Sequence, residues 1–99
     1  MASKIIKWDK RALKQFTRAI DYIEKNSPKN AKKVGDEISK AIQKILVNPE
    51  HYPPDKYKKK NNGCYRAFEL HHYRISYRVK SYEIIVLWIR HTSMEPKEY

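Results

Sequence analysis

One cysteine, Cys64, is all the thiol that the 99 residues carry. No disulfide can form within the chain, and a reducing cytoplasm is its expected home. One thiol and four scattered histidines fall short of a structural zinc set. His71 and His72 are neighbours, which on a strand would point to opposite faces. No cofactor is expected. Long apolar runs are absent too: nothing approaches the roughly 20 residues that span a bilayer. Behind Met1-Ala2-Ser3-Lys4 charges interrupt from Lys7 onward, so no signal-peptide core is read there. Internal repeats are lacking as well. Acidic residues are scarce, 11 against 22 Lys and Arg, for a net charge of +11. Between Lys56 and Lys80 the sole carboxylate is Glu69. Such an excess calls for a polyanionic partner. It lies on a loop and two strands rather than on an amphipathic helix, which favours nucleic acid or an acidic protein over a membrane surface.

What is present suits one small domain spanning residues 1–99, with aromatics enough for a modest core. Lys4 to Trp8 is a short β-type run, and Asp9 is a plausible N-cap. From Lys10 to Asn26 an apolar stripe recurs at helical spacing through Leu13, Phe16, Ile20 and Ile23. Ser27-Pro28 opens a second helix, its proline in the first turn where a missing N–H is harmless. Ala31, Val34, Ile38, Ile42 and Ile45 give that helix its stripe, and Asn48-Pro49 ends it. Two helices so closely linked must form an antiparallel hairpin. After a loop rich in proline, lysine and asparagine come three β-type segments: Cys64–Leu70, Tyr73–Val79 and Ile84–Arg90. The middle one alternates Tyr73, Ile75, Tyr77 and Val79 with Arg74, Ser76 and Arg78. The last is apolar on both faces, as a central strand is. Short links make the three an antiparallel meander. The fold class is therefore α+β: strand, helical hairpin, three-stranded meander, with the helices on one face of a small sheet. The opposite face is expected to be open and basic, carrying Arg74 and Arg78. Trp8 and Trp88 read as core, and Cys64 as inert.

The order and spacing of several phrases resemble the RelE/ParE toxin superfamily. They are Asp21-Tyr22-Ile23…Ser27-Pro28…Ala31, then Ile42…Ile45-Leu46…Asn48-Pro49, then Tyr65-Arg66-Ala67-Phe68. Tyr73 to Val79 and Ile89-Arg90-His91…Pro96 complete the set. The resemblance covers nearly the whole chain. It implies a toxin held silent by an acidic antitoxin. It also implies one of two targets. RelE-like members cleave messenger RNA on the ribosome, whereas ParE-like members inhibit DNA gyrase by binding. The hairpin phrases look more like ParE, and the basic sheet more like RelE.

Metal-free RNA cleavage needs a base, positive charge on the phosphate and an acid. The resemblance puts Arg74, His91 and Tyr99 in those catalytic roles. Arg78 shares the Arg74 face about 13 Å along the strand, so both could hold one RNA backbone. Arg66, Arg90 and the run Lys58-Lys59-Lys60 complete the expected RNA contacts. Met94 stands where related tails often carry an arginine, and Glu95 has nothing to position it. Each residue also has an ordinary role. Arginines solvate an open face or receive antitoxin carboxylates, a strand-end histidine forms hydrogen bonds, and tyrosines pack across strands. The concentration of basic and titratable residues on the meander tips the sequence reading towards the ribonuclease, with the gyrase inhibitor as the alternative.

Overall fold

The computed structural model describes residues 4–99; Met1 to Ser3, the head of the segment read for a leader, lie outside them. The elements run β1 (Ile5–Trp8), α1 (Lys10–Asn26), α2 (Pro28–Val47), β2 (Tyr65–Leu70), β3 (Tyr73–Val79) and β4 (Glu83–His91). Both caps act as the sequence predicts. The Asp9 carboxylate accepts from the Arg11 N–H at 2.9 Å, and the Ser27 hydroxyl from the Asn30 N–H at 3.1 Å. Among the described residues no helix is long and apolar enough to cross a membrane.

The four strands form one mixed sheet in the order β1-β4-β3-β2. The meander is antiparallel throughout, while β1 lies parallel to β4, Ile5 opposite Glu83 and Trp8 opposite Val86. That parallel pairing makes β4 central and explains why it is apolar on both faces. A register shift falls where Ser76 faces Trp88 but Tyr77 faces Val86, so Leu87 is the extra residue of a bulge.

The helical hairpin covers one face. Val34, Ile38, Ile42 and Ile45 of α2 pack with Ile75, Tyr77, Ile84, Val86 and Phe68 of the sheet. The α1 stripe keeps its expected line at Phe16, Ile20 and Ile23, which pack against the core, but Leu13 is half exposed. The buried α1 residues are instead Ala12 and Ala19, seven apart on one helix face. Small side chains there let the helix approach closely. Trp8 joins the core with Ile6, as read from the sequence. Trp88 does not. It shares its face with Ser76, and that face looks away from the helices. His71 and His72 are not strand residues either. They form the two-residue turn between β2 and β3, both at positive φ (52° and 67°).

Candidate functional site

The sheet's second face carries Tyr65, Ala67 and Glu69 from β2, Arg74, Ser76 and Arg78 from β3, and Trp88 and Arg90 from β4. Alternation along the strands puts them there, as expected for the two arginines. The face is not open, however. The loop after Pro53 crosses one side of it and the tail from Thr92 to Tyr99 crosses another. Between sheet, loop and tail lies a cleft of about 180 Å³, bordered by Asp55, Arg74, Trp88, Arg90, His91 and Tyr99.

The loop is held by its own side chains, not left to solvent. Asp55 donates its N–H to the Tyr65 carbonyl at 2.8 Å, next to a bridge between Pro54 and Arg66. Asn61 donates to the Tyr65 carbonyl at 2.7 Å and accepts from the Gly63 N–H at 2.9 Å. These contacts bury the Asp55 carboxylate against the sheet, with its side chain 1 % exposed. One oxygen accepts from Arg74 Nη2 at 2.8 Å and from the Tyr57 N–H at 3.1 Å. The other accepts from the Tyr99 hydroxyl at 2.7 Å and the Ser76 hydroxyl at 3.1 Å. Burial alone would raise the pKa of Asp55. The bonds from Tyr99, Arg74 and Tyr57 outweigh it and hold the carboxyl below its ordinary value.

Two of the three expected catalytic residues thus meet on one buried carboxylate. Burial, and then the bond to Asp55, push the Tyr99 phenol well above its usual range. Arg74 also reaches Glu69 at 3.0 Å and stacks over the Tyr57 ring at 4.8 Å. Burial opposes its charge, but the bonds to Asp55 and Glu69 prevail and raise its pKa. The third, His91, ends β4. Its Nδ1 accepts from the Ser93 N–H at 3.0 Å and lies 2.7 Å from the Ser93 hydroxyl. An Nδ1 that accepts leaves the ring proton on Nε2 in the neutral form.

The expected RNA contacts divide. Arg78 lies on this face, 5.3 Å over the Tyr65 ring, and Arg90 borders the cleft. Lys58 is tied to the tail, its ammonium 3.4 Å from the Tyr99 carbonyl and 4.7 Å over the Tyr65 ring. Lys59 donates its N–H to the same carbonyl at 2.7 Å and pairs with Glu98 at 3.6 Å. Lys60 is exposed, at φ 51°. Arg66 faces the other way. It pairs with Tyr77 on the helix side and donates to the carbonyls of Tyr52 at 2.7 Å and Gly63 at 3.1 Å. That arginine holds the loop. Met94 is half exposed and borders the cleft, and Glu95 is exposed.

Asp55 is the residue that sequence reading missed. A lone aspartate between Pro54 and a lysine reads as a solvated loop residue, and nothing local shows that the loop folds back onto β2. Its one sequence signal is the odd count: Glu69 is the only nearby carboxylate for two arginines on one face. Three buried N–H groups here, Arg74 Nε, Arg78 Nε and Trp88 Nε1, find no acceptor among the described residues. Among the described residues no cluster of three or more His, Cys, Asp or Glu could hold a metal. Cys64 is a free thiol, half-buried just before β2.

Comparison with known proteins bears on this arrangement. The family model described as the ParE toxin of the type II toxin–antitoxin system parDE matches residues 6–96. The fold is similar to a chain of the chromosomal ParDE toxin–antitoxin system from P. aeruginosa. That match has a TM-score of 0.70 and 20 % identity, over 90 % of this chain and 96 % of that one. It is also similar to the YoeB dimer from Staphylococcus aureus, with a TM-score of 0.60 and 22 % identity, over 91 % and 98 % of the two chains. No curated protein matches the chain.

Proposed function

Since this chain belongs to the ParE toxin family of type II toxin–antitoxin systems, we propose that it arrests growth by binding DNA gyrase and that an acidic antitoxin silences it. The observation that carries this reading is the Asp55 carboxylate, which engages both Arg74 and Tyr99. A base for the 2′-hydroxyl must be able to lose its proton near neutral pH. Tyr99 donates its proton to a buried anion and holds it more tightly than a free phenol. An arginine that stabilises a phosphate in flight needs its charge directed at the phosphate. Here both terminal nitrogens of Arg74 already face carboxylates. Arg66 points to the helix side, and Met94 contributes no charge. A protein-binding toxin needs none of these groups free.

A ribonuclease reading keeps one observation on its side. Among the described residues Arg74 Nε, Arg78 Nε and Trp88 Nε1 are donors without acceptors on one sheet face, which suits a bound phosphate. Purified gyrase separates the two. The chain should block supercoiling of relaxed plasmid, and addition of the antitoxin should restore it. Unimpaired supercoiling, together with cleavage of messenger RNA on isolated ribosomes, would move the protein to the ribonuclease class.

A further inference from the structure

The opening half of α1 is charged against its own helix. From Lys10 to Arg18 it carries four cations and no carboxylate. A helix start is electrically positive and favours acidic side chains, and like charges one turn apart repel. Lys10, Arg11, Lys14 and Arg18 are all exposed, so burial does not offset the repulsion. Lys10, Lys14 and Arg18 enter no ion pair among the described residues, and Arg11 makes only a loose one with Asp9 at 3.9 Å. On α2, by contrast, Lys32 pairs with Asp36, and Glu37 stands by His71. A local conflict of this kind marks a surface kept for a partner rather than for the fold.

With Asp9 and Gln15, the same four residues line a trough of about 480 Å³. Lys10, Lys14 and Arg18 follow one another at about 6 Å, a helical turn each. Two of the lining groups are fixed. Gln15 Oε1 accepts from the Ile89 N–H at 2.8 Å, which ties this stretch of α1 to β4. The Arg11 guanidinium lies 3.8 Å over the Trp88 ring, which holds its charge in place. No apolar or aromatic side chain lines the trough. Protein interfaces have apolar, aromatic-rich cores that are poor in lysine, so an acidic protein finds nothing to bury here. Single-stranded nucleic acid is held by stacking its bases on aromatic rings, and Trp88 is capped by Arg11 on this side. The complement that remains is a regular row of phosphates, which a duplex backbone offers and which charge alone recognises.

We propose that the outward face of α1 around Lys10, Arg11, Lys14 and Arg18 binds the phosphate backbone of duplex DNA. The inference rests on the reading of the chain as a gyrase inhibitor and deepens it. Gyrase works on duplex DNA, so the toxin grips the enzyme together with the duplex it holds. None of the four residues borders the Asp55 cleft, and the Asp55 network stays intact.

Fluorescence anisotropy on the full chain, titrated across a range of salt, tests it. The probes are a short labelled duplex DNA and a single-stranded RNA with the same number of phosphates. Lys10→Gln with Lys14→Gln removes two charges from the ridge, and Lys33→Gln with Lys40→Gln removes as many from exposed positions of α2. Glutamine is a good helix former, so neither pair should lower the thermal midpoint. The ridge pair should weaken duplex binding about tenfold at moderate salt and lower the slope of its logarithm against log salt by about 2. The α2 pair should leave that slope unchanged. Equal losses from the two pairs would mean that net charge alone attracts DNA, and would overturn the proposal. So would RNA that binds more tightly than the duplex and loses as much affinity from the ridge pair. In the supercoiling assay the ridge pair should require about tenfold more toxin for the same block. An undiminished block by that variant, with its duplex binding lost, would overturn the ridge's part in gripping gyrase. A chain that spares gyrase but keeps ridge-dependent duplex binding would sink the target reading and leave the DNA site standing.

Discussion

At the scale of the residue, Asp55 decides what the candidate site is. A buried carboxylate with four donors is costly to neutralise and costly to leave half-satisfied. Asp55→Asn should therefore lower stability by about 2 kcal/mol at neutral pH, measured by urea unfolding. The pH dependence has a definite sign. The folded-state pKa lies below the ordinary value of 3.8, so the contribution is fully present above that value. It is lost as pH falls through the folded-state pKa. The difference between Asp55→Asn and the unaltered chain should shrink towards zero on strong acidification. A difference unchanged at low pH would mean that the carboxylate is not the source of the stability. Tyr99→Phe removes one donor and leaves three. It should cost about 1 kcal/mol and expose the amides of Lys59 and Tyr99, bonded across the tail, to faster hydrogen exchange. Unchanged exchange there would contradict a tail held by its tyrosine.

At the scale of the element, much was legible. Asp9 and Ser27-Pro28 mark the helix starts, and the α2 stripe from Ala31 to Ile45 is buried as its spacing predicts. These signals are local, so a single sequence carries them. What the sequence hid is non-local. Nothing in Ile5 to Trp8 says that this strand lies parallel to β4, and nothing near Leu87 announces the bulge that sends Trp88 to the site face. The fold-back of the lysine loop depends on pairing with β2, so nothing local to Lys58 or Asp55 shows that they hold the tail. The turn at His71-His72 shows the same limit. Two adjacent histidines carry no turn signature, yet both take positive φ. His71 there lies 3.2 Å from Glu37 of α2, and the His72 ring stacks on His91 at 6.3 Å. Glycine adopts positive φ without the steric cost of a side chain. His72→Gly should thus stabilise the hairpin by about 0.5 kcal/mol in thermal unfolding, net of the lost ring contact. A loss above about 1 kcal/mol would show that the histidine stack, not the backbone, governs the turn.

At the scale of the whole molecule, a net charge of +11 on a body with a radius of gyration of 13.5 Å will attract any polyanion. Binding to RNA or DNA in low salt is therefore weak evidence for a nuclease, because it falls steeply as salt rises whatever the function. The family match and the engaged Asp55 network support a toxin that acts through a protein surface. The measurement that tests this most directly is a pulse-label of new DNA and new protein just after the chain is expressed without its antitoxin. The account predicts an early fall in DNA synthesis while translation continues. An early collapse of translation, with messages cut at ribosome-protected sites, would contradict it and return Arg74, His91 and Tyr99 to catalytic roles.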